Sequence, residues 1–146
     1  MKTIHRDIVS ALIFSKDGKL LMGMKDPQSG GVYADCWHIP GGGMDESESQ
    51  LSALRREMLE EVGLDIADCK VVLADDKGTG ETEKTLKDTG EKVLCKMRFY
   101  VYRIDVDKNA AEIEVQPSDD LVKLEWVDSS KLGSYKLMPP SVTLFK

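Results

Sequence analysis

Two apolar segments open the chain. Asp7 to Phe14 reads DIVSALIF, and a second segment runs from Lys19 to Met24. Between them stands Ser15-Lys16-Asp17-Gly18. An Asp-Gly pair flanked by apolar segments is a strong hairpin signal, because glycine accepts the positive φ that the tight turn imposes. Two antiparallel strands are predicted there. Asp26 to Asp35 holds Pro27, Gly30 and Gly31 and reads as a loop. Trp37 to Pro40 is short and apolar, and Pro40 followed by Gly41, Gly42 and Gly43 predicts an irregular turn.

The hydrophobic period then lengthens. Leu51, Leu54, Met58 and Val62 recur at helical spacing and predict one apolar stripe. Ser47 with Gln50 three residues later fits a capping box at the helix start. Gly63 stands where a left-handed residue closes a helix. Val71 to Ala74 predicts a short strand. Asp75 to Lys92 is polar, contains glycine and has no clear period, which predicts a mobile long loop or an extended hairpin tip. Val93 to Val106 (VLCKMRFYVYRIDV) alternates and is rich in β-formers, so it predicts a strand. Asn109 to Asp120 reads as acidic loop and Leu121 to Val127 as a strand carrying Trp126. A short helix is expected near Asp128-Ser129-Ser130. Pro139-Pro140 precedes a last short helix or tail at Ser141–Phe145. No repeat, low-complexity tract or linker interrupts the chain, and one domain over residues 1–146 is expected.

Composition narrows this picture. At 146 residues, about 68–70% of the unfolded surface can be buried, enough for a core without staples. The net charge of -6 argues against a general affinity for the backbone of a nucleic-acid polymer. Bound cations can still bring phosphates to an acidic protein. Cys36, Cys69 and Cys95 are odd in number and form no CxxC, which fits reduced cysteines in a cytoplasmic protein. No stretch approaches the ~18 apolar residues of a membrane span, so no membrane partner is expected. The N-terminus has no small-residue cleavage site and alternates like a strand, so it reads as no signal peptide.

The chemistry is concentrated between Gly42 and Leu64, GGMDESESQLSALRREMLEEVGL. On a helix, Glu57, Glu60 and Glu61 are related by i, i+3 and i+4 and span about a third of the circumference at ~100° per residue. Three carboxylates that close repel one another. An acidic run is often a solvated helix face; the alternative is that a hard divalent cation sits among them. The ordered combination with the glycines, Glu48, Arg56 and Gly63 favours the cation. Gly41, Gly42 and Gly43 allow positive φ and close approach of backbone to a ligand, and Gly42 has no side chain to block metal or phosphate. Arg56 can hold a carboxylate bidentately, Glu48 or Glu57.

In this order the residues resemble the Nudix box: a glycine, five residues, Glu, seven residues, then Arg-Glu-aliphatic-any-Glu-Glu-any-Gly-aliphatic. Here these are Gly42, Glu48, Arg56, Glu57, Met58, Glu60, Glu61, Gly63 and Leu64, with every fixed position matched. The hairpin, the Trp37–Pro40 lead-in and the later strands are also similar to a Nudix domain. The resemblance implies an α+β fold, an α/β/α sandwich around a mixed β-sheet. It implies hydrolysis of a nucleoside diphosphate linked to another group, with Mg²⁺ or Mn²⁺ as cofactor.

Carried onto this chain, the resemblance makes Glu57, Glu60 and Glu61 the metal ligands, together with Gly42. Glu57 or a carboxylate outside the box would act as base, and Asp120 stands closest to where some relatives place it. The alternative for Asp120 is a solvent-facing loop carboxylate. Lys25 resembles a phosphate-binding position, against an ordinary surface lysine. Trp37 is a core or cleft-wall residue or stacks on a base, and His38 supports its loop. The substrate is expected to be a nucleoside or deoxynucleoside triphosphate, cleaved to monophosphate and pyrophosphate, with oxidised nucleotides included. The size of the chain and Met138-Pro139-Pro140-Ser141 resemble the MutT-type group. ADP-ribose or a nucleotide sugar is the alternative, and a non-catalytic nucleotide sensor is an alternative of another class. Lys77-Gly78-Thr79-Gly80 shows neither of two subfamily signatures for that position. The expected state is monomer or homodimer.

Overall fold

A computed structural model describes residues 1–25, 37–86, 88–117, 121–128 and 130. Along the chain lie β1 (Lys2–Phe14), β2 (Lys19–Lys25), β3 (Trp37–His38), β4 (Gly41–Gly43), α1 (Gln50–Val62), β5 (Lys70–Thr85), β6 (Lys92–Asp105) and β7 (Leu121–Asp128). A 3-10 turn at Ala110–Glu112 precedes β7. The seven strands among the described residues form one mixed sheet of order β3-β2-β1-β6-β5, with β4 added to β1 and β7 to β2.

The predicted hairpin forms. Gly18 has φ 82, and the Ser15 N–H donates to the Lys19 carbonyl at 2.9 Å. β1 begins five residues earlier than its apolar run. Its polar start, Lys2 to Arg6, is held by parallel pairing with Val93–Met97 of β6, and ladder hydrogen bonds do not require apolar side chains. On its other side β1 meets β4 at Ile8–Ser10 and β2 at Phe14.

Strand alternation divides the core. Val9, Ala11 and Ile13 point to the face that packs on Leu54, Met58 and Val62 of α1. Leu12 and Phe14 point to the other face, with Leu20, Met22, Ile39, Val101 and Val127. Burial of each large side chain contributes about 1.5–3 kcal/mol.

Two expectations need correction. Gly41–Gly43 is a strand, not an irregular turn, and none of its three residues is in the left-handed region. The cap of α1 is Ser49, whose hydroxyl accepts from the Ser52 N–H at 3.2 Å, so Ser47 stands outside the helix. Of the two readings of the segment 75–92, long loop or extended hairpin tip, the second holds: it is mainly the outer half of a long β5–β6 hairpin. Within α1, Leu51 is 57% exposed, and Ala53 takes its place in the stripe. The loop at 26–35, the helix near 128–130 and the tail at 139–145 lie wholly or mainly outside the described residues, as does Cys36. Cys69 and Cys95 are free thiols. Among the described residues, no helix is long and apolar enough to cross a membrane.

Candidate functional site

The site is assembled where β4 crosses α1. β4 runs antiparallel to β1, with Gly42 opposite Val9 and Gly41 opposite Ser10. Opposed residues share a face, so Gly42 faces α1. A Cβ added there would lie 2.5 Å from the carboxyl carbon and both oxygens of Glu57. Any side chain at Gly42 would displace that carboxylate. Gly41 is equally committed, because its Cβ would strike the Val9 carbonyl and Ser10. Its backbone N–H donates to Glu61 Oε1 at 2.9 Å. The glycines are thus required by close approach, while the expected positive φ is not used.

Helical periodicity brings the carboxylates to this strand. Glu57 and Glu61 are one turn apart and both are buried, 7% and 3% exposed. Glu60 lies further round and is exposed. Such burial of carboxylates occurs where polar groups or cations meet them.

Arg56 is the organising cation. Its Nη2 and Nε donate to Glu48 Oε1 and Oε2 at 2.7 and 2.8 Å, a two-point fork. Of the two partners left open by the sequence, Glu48 receives that fork. Nη1 donates to Glu57 Oε1 at 3.0 Å and to Glu60 Oε2 at 3.2 Å. Nη2 also donates to the Gly43 carbonyl at 3.1 Å, tying the helix to β4. The Arg56 guanidinium holds the Glu48 carboxyl well below its ordinary range, at about 2, with help from the Asp45 N–H. Hydrogen bonding to Glu48, ahead of Glu57, raises Arg56 in return.

Arg56 therefore stands with Glu48, Glu57 and Glu60, while Glu61 is held separately on Gly41. Among the described residues, no three His, Cys, Asp or Glu side chains stand close enough to hold a metal ion between them. Oxygen donors from carboxylates are nevertheless the chemistry that Mg²⁺ and Mn²⁺ select. Trp37 is half-buried and packs against the second core cluster. His38 is buried in the same short strand. Lys25 ends β2 opposite Leu121, where the register shifts; its side chain is outside the described residues, as is Asp120. Arg6 was not visible as a site residue in the sequence. It lies on β1, far from the box in sequence, yet its guanidinium occupies the space where a Gly43 side chain would go.

The model of the NUDIX domain matches residues 4–144. The chain belongs to the Nudix family. An RNA pyrophosphohydrolase of Hydrogenovibrio crunogenus is 38% identical over 68 residues, which cover 47% of this chain and 38% of that protein. A protein of the same name from Actinobacillus pleuropneumoniae serotype 5b is 25% identical over 84% of this Nudix chain and 59% of its own length. The chain therefore spans less than two thirds of these curated relatives. Among solved structures, the MutT protein from Methanosarcina mazei Go1 aligns with TM-score 0.67 and 23% identity, covering 99% of this chain and 93% of that one. The NUDIX domain of Shewanella oneidensis NrtR, complexed with ADP ribose, aligns with TM-score 0.68 and 16% identity over 97% and 84%. At these identities the likeness concerns the fold alone. The Nudix fold, a curled mixed sheet with α1 on one face, is common to them, and α1 is the one α-helix among the described residues.

Proposed function

We propose that this Nudix domain, read as one unit over residues 1–146, hydrolyses a nucleoside diphosphate linked to a further group. The preferred substrate is a nucleoside or deoxynucleoside triphosphate, giving the monophosphate and pyrophosphate, with oxidised nucleotides included. The observation that carries this reading is the meeting of the box residues in space. Gly42 abuts the Glu57 carboxylate, Gly41 holds Glu61, and Arg56 forks onto Glu48.

In this reading Glu57, Glu60 and Glu61, beside Gly42, would hold Mg²⁺ or Mn²⁺. A divalent ion bound there neutralises phosphate charge and lowers the pKa of the attacking water. Glu57 and Glu60 accept hydrogen bonds from Arg56 Nη1, and the Glu48 fork would keep the guanidinium in place with a metal bound. Arg56 then acts as a positioning residue. Glu57, or Asp120 just before β7 in the sequence, would accept the proton of the attacking water. Gly41, Gly42 and Lys25 border the polyphosphate, and Trp37 borders the base. The domain is read as cytoplasmic and as a monomer or homodimer.

A second reading keeps the same chemistry on a different substrate. The curated relatives are named RNA pyrophosphohydrolase, which favours a 5′-triphosphate at an RNA end. Its pyrophosphate product would be the same, while the net charge of -6 weighs against tight hold on a long polymer. Competition between ATP and a 5′-triphosphorylated oligonucleotide separates the two. The first reading expects the free nucleotide to be cleaved with the higher kcat/KM, and the reverse order would replace it with the second.

A further inference from the structure

A cleft of about 610 Å³ lies beside the box, and the established features of the site do not account for its lining. Its floor is three residues from each of three adjacent strands: 5–7 of β1, 96–98 of β6 and 79–81 of β5. The register sets His5, Lys96 and Glu81 in one row and Asp7, Arg98 and Thr79 in the next. Asp7 alternates with Val9, so these side chains share the α1 face of the sheet. The cleft adjoins the box loop directly, because the Met44 N–H donates to the Asp7 carbonyl at 2.9 Å.

Its volume suits a small ligand, but its chemistry is unlike an apolar ligand pocket. Among the described residues, Met97 is the one large apolar residue in the lining, and no aromatic ring is there. Lys96 and Arg98 stand side by side on this face, although the whole chain is acidic, while alternation turns the Arg6 side chain to the other face, towards Gly43. These cations are weakly committed. Lys96 meets Glu81 only at 3.8 Å, with both side chains about half exposed. Arg98 gives one N–H to the Asp76 carbonyl at 3.3 Å and otherwise lies over the Tyr100 ring. Exposed pairs of this kind contribute little and yield readily to a better anion. Asp7 and Glu81 would oppose a diffuse negative surface, so the occupant must be a compact anion placed among the donors.

We propose that this cleft binds a second phosphate group of the substrate, separate from the polyphosphate that is cleaved. The class is a nucleotide carrying a further phosphate on its ribose. This rests on the reading of the box as a nucleotide site, and it makes Arg98 and Lys96 specificity residues. Arginine is suited to this because its fixed fork of donors matches phosphate oxygens.

Calorimetry in Mg²⁺ buffer with adenosine 3′,5′-bisphosphate and with AMP tests it without any turnover. The bisphosphate should bind about tenfold more tightly, the increment of one charge-assisted hydrogen bond. The K96Q/R98Q protein should bind the two alike, and Lys96→Arg should keep the preference. Equal binding by the unaltered protein, or a preference that survives in K96Q/R98Q, overturns the proposal. Turnover then identifies the source of the phosphate. Preference for 5′-triphosphorylated ApA over ATP means a phosphodiester, and preference for adenosine 3′-phosphate 5′-triphosphate means a monoester. No preference for either overturns the substrate role. If nothing is hydrolysed yet the bisphosphate is still preferred, the hydrolase reading fails and the cleft stands.

Discussion

At the residue scale, the site depends on what is missing from Gly42. With Glu57 carboxylate atoms 2.5 Å from any added Cβ, Gly42→Ala should push the carboxylate aside. A shift of this size can cost roughly 10²-fold in rate, so kcat/KM should fall by that order while the protein still folds. An alanine enzyme with unchanged kcat/KM would sever Glu57 from the chemistry. Glu48 gives a pH test. Arg56 lowers its carboxyl from 4.5 to about 2 in the folded protein. A depressed carboxylate stabilises the fold fully above the unfolded value. That stabilisation is lost as pH falls from about 4.5 towards 2. Denaturation followed across this window should give a flatter curve for Glu48→Gln than for the unaltered protein, and equal slopes would refute the linkage. Glu57, Glu60 and Glu61 were legible in the sequence because fixed spacing on one helix groups them, and Gly42, Glu48 and Arg56 because their order matches the box. Arg6 was not, since only the pairing of β1 with β4 carries it to Gly43.

At the element scale, α1 must hold its register for the carboxylates to meet β4. Its core contact is Met58, fully buried beside Leu54 and Val62. Met58→Ala should destabilise the protein by about 2–5 kcal/mol in urea titration, and a loss below ~1 kcal/mol would mean that the helix packs elsewhere. Ser49→Ala should cost about 1 kcal/mol through the lost cap, whereas Ser47→Ala should be nearly silent. The two serines show how far local pattern reaches. Both fit the start of a helix, but Gln50 is drawn away to accept a hydrogen bond from the Tyr102 hydroxyl, leaving Ser49 to cap. The full length of β5 was only partly legible, since its polar half read as loop or as hairpin tip. Its glycines looked like loop, yet Gly78 and Gly80 lie over Phe99 of β6, where a Cβ at Gly80 would sit 3.2 Å from the ring. As the last strand in the sheet order it can be polar without loss of core. The strand at Gly41–Gly43 had the same disguise, since three glycines carry no alternation to read.

At the scale of the whole molecule, the fold brings one helix, one glycine strand and the open end of the sheet together. Metal binding to the folded form alone should raise its stability, by about 2.7 kcal/mol at a hundredfold excess over Kd. Thermal unfolding with and without Mg²⁺ should show this as a higher Tm, and Glu61→Gln should reduce the shift. The most direct test of the account is product analysis. Normal and oxidised nucleoside triphosphates, ADP-ribose and nucleotide sugars would be incubated with Mg²⁺, and pyrophosphate would be separated from orthophosphate by ³¹P NMR. The unaltered protein should release pyrophosphate and nucleoside monophosphate from triphosphates, and Glu57→Gln should abolish nearly all of it. Equal turnover by Glu57→Gln, or orthophosphate as the only product, would contradict the account.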